Sequence, residues 1–316
     1  MARIAQALLR RLGGMAIVLA LVVTVVFIIV RVTPGDPAAV MLGSDATPED
    51  IAQLRTRMGL DAPLIMQYGQ FVMGILQGDL GQSIFLNQPV TTALAARAEP
   101  TFFLTLFSIL IAVTIALPVG ILSAVKRGTI FDQIVVTLTM VAASVPSFWL
   151  GLMLIQIFAV GQGWFPASGY GGPGTPFLDR LHHLILPAVA LGVVNSALIT
   201  RFTRASMLDV LGDDYVRTAR AKGAGEGRVI LKHALKNAMI PIITVIGLSV
   251  AMLVAGAVVT ETVFGLPGIG NLVVSAVLRR DYPVIQGALL VVAAIYVLIN
   301  FIVDMLYILV DPRVRL

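Results

Sequence analysis

Six apolar runs, each long enough to cross a bilayer, constrain this chain more than any other feature: Leu12–Val30, Thr101–Val125, Ile134–Val160, Leu184–Thr200 extended to about Arg204, Ala238–Thr260 and Ile285–Val310. A helix needs roughly 20 such residues to span about 30 Å of hydrocarbon. The expected fold class is therefore an all-α polytopic membrane protein with six transmembrane helices. Composition agrees, with 58% hydrophobic and only 12% charged residues and a mean hydropathy of +0.95, whereas soluble chains are about half apolar and a quarter charged. Leu12–Val30 lacks a small-residue cleavage site at its end and is expected to be a retained span rather than a signal peptide. Pro118, Pro146 and Pro187 fall within or at the start of spans, where neighbouring helices can re-satisfy the backbone groups that proline frees. The absence of cysteine excludes disulfides, thiolate metal sites and cysteine nucleophiles.

Charge supplies orientation. The net charge of +5 is not pooled in one tract, which argues against nucleic-acid binding. Fifteen of the 22 Lys and Arg fall on one side of the spans: Arg3, Arg10, Arg11, Lys126, Arg127, eight between Arg201 and Lys236, Arg313 and Arg315. The other side holds Arg31, Arg55, Arg57, Arg97, Arg180, Arg279 and Arg280 in about twice the loop length. The positive-inside rule then places both termini and the 201–237 loop in the cytoplasm. The expected organisation is residues 1–30 as cytoplasmic N-terminus and first span, 31–100 as an extracytoplasmic helical subdomain, 101–310 as a five-span core with a cytoplasmic loop at 205–237, and 311–316 as a cytoplasmic tail.

The outer segment is too long for a simple connector. Its "TPED" reads as a capping box, with Thr47 as N-cap, Pro48 at the first helical position and Asp50 three residues on. That helix should stop at Gly59. A second should run from Pro63 until "GDLGQS" breaks it at Gly78–Ser83. With Asp45, Glu49, Asp50, Arg55 and Arg57 it carries the mixed charge of a transient protein surface, which the loop near Tyr170 is expected to join; the alternative is that the region caps the bundle or packs on a neighbouring subunit, a use that "GDLGQS" also suits.

Residues 213–236 stand apart from the apolar chain, with six Lys/Arg and three acids. Asp209, Asp213 and Asp214 precede "YVRTARAK", where negative charge favours a helix N-terminus, and Gly223 and Gly225 end it in a tight turn. "GRVILKHALKNAMI" then forms a second helix leading into the fifth span. A helix–glycine–helix elbow facing the cytoplasm is costly to order unless something docks on it.

These residues resemble the coupling loop of ATP-binding-cassette (ABC) importer permeases, in particular the dipeptide, oligopeptide, glutathione and nickel branch. "LLRRLGG" (8–14), "TPGDPA" (33–38), "MGLDAPLIMQY" (58–68), "GDLGQS" (78–83), "RASMLDVLGDDYVRTARAKG" (204–223), "ETVFGLPGIGNL" (261–272), "RRDYPVIQG" (279–287) and "DPRVR" (311–315) occur in family order. The usual Glu-Ala-Ala triplet is replaced by Arg217-Thr218-Ala219, while Gly223 is kept. The resemblance implies the type I ABC importer permease fold and an ATPase-coupling element at Tyr215, Arg217, Thr218, Ala219, Arg220, Ala221, Lys222 and Gly223. It also implies a homologous second permease, two ABC ATPase subunits and an extracytoplasmic solute-binding protein, in the cell inner membrane. No GxxxxGK[ST] loop is present, so ATP and Mg belong to the partner ATPases and this chain is expected to bind no cofactor or metal and to have no enzymatic activity. The implied substrates are di- or oligopeptides, with glutathione or nickel chelates as the alternative.

A gate is expected at Glu261, Val263, Phe264, Gly265, Leu266, Pro267 and Gly268, where the glycines and proline permit a sharp re-entrant turn that closes the outside of a pore lined mainly by the third to fifth spans; an ordinary outer turn is the alternative. Two rival classes are weaker. His182 and His183 are adjacent on a helix and do not share a face, so they make a poor metal pair. Asp304 would suit a proton-coupled transporter, but it lies near the cytoplasmic end and no other span offers a partner acid.

Overall fold

The computed structural model describes residues 2–32, 37–42, 46–57, 59–172 and 174–310; the "TPGDPA" motif before Pro37, Asp45 and the "DPRVR" tail lie outside them. The described residues form helices joined by turns. In chain order these are α1 (Ala2–Val32), α2 (Pro37–Leu42), α3 (Pro48–Arg57), α4 (Leu64–Leu76), α5 (Val90–Val125), α6 (Ile130–Ser144), α7 (Ser147–Leu154), α8 (Phe177–His183), α9 (Ile185–Leu211), α10 (Asp214–Ala221), α11 (Glu226–Arg228), α12 (Leu235–Val263), α13 (Ile269–Leu278) and α14 (Tyr282–Val310). π-helical segments extend α7 through Ile155–Gly161 and join α11 to α12 through Val229–Ala234.

Five spans are single apolar helices, in α1, α5, α9, α11–α12 and α14. The expected third span is not straight: α6 and the α7 segment are bent by 95°. Val145 sits before Pro146 in an extended conformation, at φ −87° and ψ 123°, as steric conflict with a following proline ring favours. Pro118, by contrast, lies inside the continuous α5, and Pro187 falls in the first turn of α9. The chain forms two compact units, Met1–Glu99 with Asn271–Leu298 and Pro100–Gly270 with Ile299–Leu316.

In the first unit the capping box forms as read. The Thr47 hydroxyl and N–H donate to Asp50 Oδ2 at 2.7 and 3.3 Å, and the Asp50 N–H donates to Thr47 Oγ1 at 3.2 Å. Gly59 (φ 67°) and Gly78 (φ 77°) follow the ends of α3 and α4. The buried Gln67 amide donates to the carbonyls of Leu60 and Ala62, satisfying the turn between those helices. α4 packs on α1 through Phe27, whose ring meets Tyr68 edge-on at 5.3 Å and Phe71 at 5.7 Å.

The second unit is organised around α9, which packs against α6, α7 and α12. Small residues let α5 approach it: Ser108, Ala112, Ala116, Gly120 and Ala124 recur every four residues and are all buried. A Cβ added at Gly120 would lie 2.9 Å from the Thr200 carbonyl, and one at Gly192 would lie 2.9 Å from that of Ser108. Close backbone approach of this kind drives helix association in lipid, where no hydrophobic gradient between helices remains. Leu104, Leu184, Leu191, Leu253, Phe264 and Leu266 form the largest core cluster of this unit.

Candidate functional site

α10 begins after Asp213 and is anchored at few points. Val216 is fully buried, while Tyr215, Arg217, Thr218, Arg220, Ala221, Lys222 and Gly223 are exposed and Ala219 half-exposed. The Tyr215 hydroxyl accepts from Asn237 Nδ2 at 2.7 Å, tying α10 to the first turn of α12. At the other end Gly223 adopts φ 78°. Its N–H donates to the Arg220 carbonyl at 2.9 Å and the Ala224 N–H to the Ala219 carbonyl at 3.2 Å, the pair of bonds that closes a helix on a left-handed residue. The Arg220 guanidinium makes two hydrogen bonds to Glu226, at 2.8 and 3.3 Å, across the elbow. Arg217 contacts Asp214 at 3.3 Å in full exposure, an arrangement that contributes little. The expected coupling residues are thus brought together on one short helix, braced at both ends and otherwise bare. Glu226 and Asn237, which brace it, carry no signal in the segment's own pattern.

α10 is joined to α9 through Gly212, and α9 is in turn tied to α6. Arg204 Nε and Nη2 donate to Asp132 Oδ1 and Oδ2 at 2.7 and 2.8 Å. Asp132 also accepts from the Ser123 hydroxyl and, at 3.0 Å, from the Gly128 N–H, so one buried carboxylate holds the ends of three helices. Sequence reading assigned no role to this pair, which is separated by 72 positions. The one local signal is Thr129, whose hydroxyl caps α6 by accepting from the Asp132 N–H.

The gate candidates form a compact turn between α12 and α13. Glu261, in the last turn of α12, is fully buried and accepts from the Thr101 hydroxyl at 2.6 Å. That hydroxyl oxygen accepts from the Ile269 N–H at 2.9 Å, linking the two sides of the turn. Gly265 takes φ 59°. Phe264 and Leu266 are buried, Val263 is half-buried, Gly265 and Pro267 are exposed, and Gly268 is buried against the Glu261 carboxylate. The Phe264 ring fills the space at Gly151 of α7, where an added Cβ would lie 2.8 Å from it. The short helix α13 that follows was not foreseen. His182 stacks on Phe165 at 5.1 Å.

The described residues thus combine helices long and apolar enough to cross a membrane with an exposed helix–glycine–helix elbow. Residues 116–316 match the family described as binding-protein-dependent transport system inner membrane component, and residues 4–102 match its N-terminal region. The chain belongs to this family. It is 44% identical over 308 residues to a probable peptide ABC transporter permease of Sinorhizobium fredii, with 98% of each chain covered. It is 43% identical over 335 residues to the dipeptide transport system permease of Escherichia coli K12, again with 98% of each covered. It is 45% identical over 307 residues to a glutathione transport system permease of Pectobacterium atrosepticum, covering 97% of this chain and 98% of that one. Its fold is similar to that of the inward-facing MetNI methionine ABC transporter, with a TM-score of 0.57 at 20% identity over 69% of this chain and 96% of that one. The protein is a membrane permease subunit of an ABC importer, and ATP hydrolysis lies in partner subunits.

Proposed function

We propose that this subunit imports di- or oligopeptides handed over by an extracytoplasmic solute-binding protein, in a complex with a homologous second permease and two cytoplasmic ABC ATPases. The carrying observation is α10, an exposed helix held rigid at Val216, Tyr215 and Arg220 while its remaining surface is bare. A power stroke needs a stiff element wedged into the motor. The excess of Lys and Arg on one side of the spans supports a cytoplasmic position for this helix and both termini, and with it an opposite-face position for the 261–268 turn, which this reading takes as the gate. Peptide as substrate is supported by the relatives named for peptide transport, and glutathione, a tripeptide, is the second reading, supported by the third. Uptake assays with the reconstituted complex, competing labelled dipeptide against glutathione, separate the two. Saturable uptake of neither sinks both.

Replacing Gly223 by Trp tests the coupling role. No atom lies within 4 Å of an added Cβ there, so the first side-chain carbon meets nothing in this chain. The left-handed backbone costs a non-glycine residue about 1–2 kcal/mol, which the membrane helices should survive. The expected result is a chain that inserts and melts like wild type but loses at least about tenfold in transport, equivalent to ~1.4 kcal/mol of coupling, with the ATPase detached or uncoupled. Normal substrate-stimulated ATP hydrolysis in this variant would refute the assignment.

A further inference from the structure

Between α11 and α12 the helix widens into the π-helical turn Val229–Ala234, and α10 packs against it. We infer that Asn237 is a positioning residue for coupling: it clasps α10 to this turn, and the turn is the joint that yields when the ATPases move α10. The inference rests on the coupling role proposed above for α10.

Three observations carry it. The first is the spacing of buried residues. Val229, Ala234, Ala238 and Ile242 are all fully buried, so the inward positions step by five and then twice by four. Residues five apart lie about 140° around an α-helix, where Val229 and Ala234 would not both face the bundle. An i→i+5 turn brings them onto one side. A static helix would bury the same side chains with one residue fewer and without the rare π geometry. Falling into α register would swing Val229, and the turn on which α10 sits, off the buried face.

The second is the clasp itself. Asn237 Nδ2 donates to the Tyr215 hydroxyl at 2.7 Å and to the His233 carbonyl at 3.4 Å. The Tyr215 hydroxyl donates to that same carbonyl at 3.4 Å. A side chain of α10, a carbonyl of the π turn and a side chain from the first turn of α12 thus close a triangle. The third is that the fold does not depend on it. Tyr215 and Asn237 are exposed, whereas the turn is held by Ala234, which shares a core cluster with Ala124 and Met207. From that clasp α12 runs on continuously to Val263, beside the 261–268 turn.

The test deletes Lys232, an exposed residue of the turn, in the full complex reconstituted in proteoliposomes. The deletion leaves the side chains of Val229 and Ala234 four positions apart, so an unbroken α-helix buries both. Assembly and Tm are expected at or above wild type, while solute transported per ATP falls about tenfold or more. Asn237→Ala and Tyr215→Phe should each lower that ratio about threefold at wild-type Tm, and the double variant no further than the larger single effect, because both residues act through one clasp. An unchanged ratio in the deletion, or in both point variants, overturns the inference and leaves the coupling role of α10 intact; so do fully additive point variants. If the deletion prevents assembly, the point variants decide alone. Normal substrate-stimulated ATP hydrolysis in Gly223→Trp would instead refute the coupling role itself, and this inference with it.

Discussion

Arg204→Ala is expected to leave ATP hydrolysis running while transport per ATP falls by about tenfold or more, the factor that ~1.4 kcal/mol of lost coupling produces. The reason is positional. α10 continues through Gly212 into α9, and Arg204 lies on the last two turns of that helix, where its fork grips Asp132 of α6. α6 ends at the Val145–Pro146 bend, beyond which α7 presents Gly151 to the Phe264 ring of the 264–268 turn. Under the coupling role proposed for α10, this ion pair is where its motion would enter the bent span that packs against the proposed gate. Removing one partner from a buried pair costs about 3–5 kcal/mol because the other charge is left uncompensated. Arg204 retains some exposure, so the lower end applies and the chain should remain folded, with a lowered Tm. Arg204→Lys keeps the charge but loses the bidentate fit and should give an intermediate coupling ratio at nearly wild-type Tm. Proteoliposome uptake measured beside ATP hydrolysis checks this. A drop in Tm with an unchanged transport-to-ATP ratio would show that the pair is only a structural tie.

What the sequence made legible was local. Thr47, Pro48 and Asp50 announce a helix start within four residues, and Gly223 announces a helix end, because both depend on backbone groups a turn away. Span length is local in the same sense, and α1, α9, α12 and α14 overlap the expected runs while extending a few residues past them. α5 runs further, back to Val90, since its first turns are too polar to count as apolar yet helical all the same. The bend at Pro146 was missed because composition alone does not separate a proline that interrupts a span, like this one, from one absorbed within it, like Pro118. The outcome depends on whether the preceding residue goes extended, which Val145 does. Pairs distant in sequence left less trace. Thr101 and Glu261 are separated by 160 positions, and neither flanking pattern signals the other. The stripe from Ser108 to Ala124 is the exception, a four-residue repeat of small side chains visible in the sequence and read only once its helix was packed on α9.

Gly270→Ala is expected to abolish most transport even though it adds one methyl group. A Cβ at this position would lie 2.6 Å from the Cα of Val258 and 2.9 Å from Glu261 Oε2. The first neighbour is backbone in the interior of α12 and has no rotamer to change, so the backbone at Ile269 and Gly270 must shift. Overpacking in a well-packed site typically costs about 1–3 kcal/mol, and here the displacement also pulls the Ile269 N–H from Thr101 Oγ1, the bond next to it in sequence. The turn should then lose both its packing and the hydrogen-bonded link from Ile269 through Thr101 to Glu261. Gly265→Ala is the discriminating comparison. That residue is exposed, and its nearest neighbours to an added Cβ are at 3.7 Å, so only the strain of φ 59° applies, about 1–2 kcal/mol, and Asn, which tolerates this region better, should recover part of the loss. If the turn is a gate whose register matters, Gly270→Ala loses transport while Gly265→Asn keeps it. Because the chain has no cysteine, a single Cys in place of the exposed Pro267 can report the turn's position in either background by its maleimide labelling rate. Wild-type uptake in Gly270→Ala, with labelling at Pro267→Cys unchanged, would show that the turn accommodates the methyl group and that its close packing is not what sets the gate.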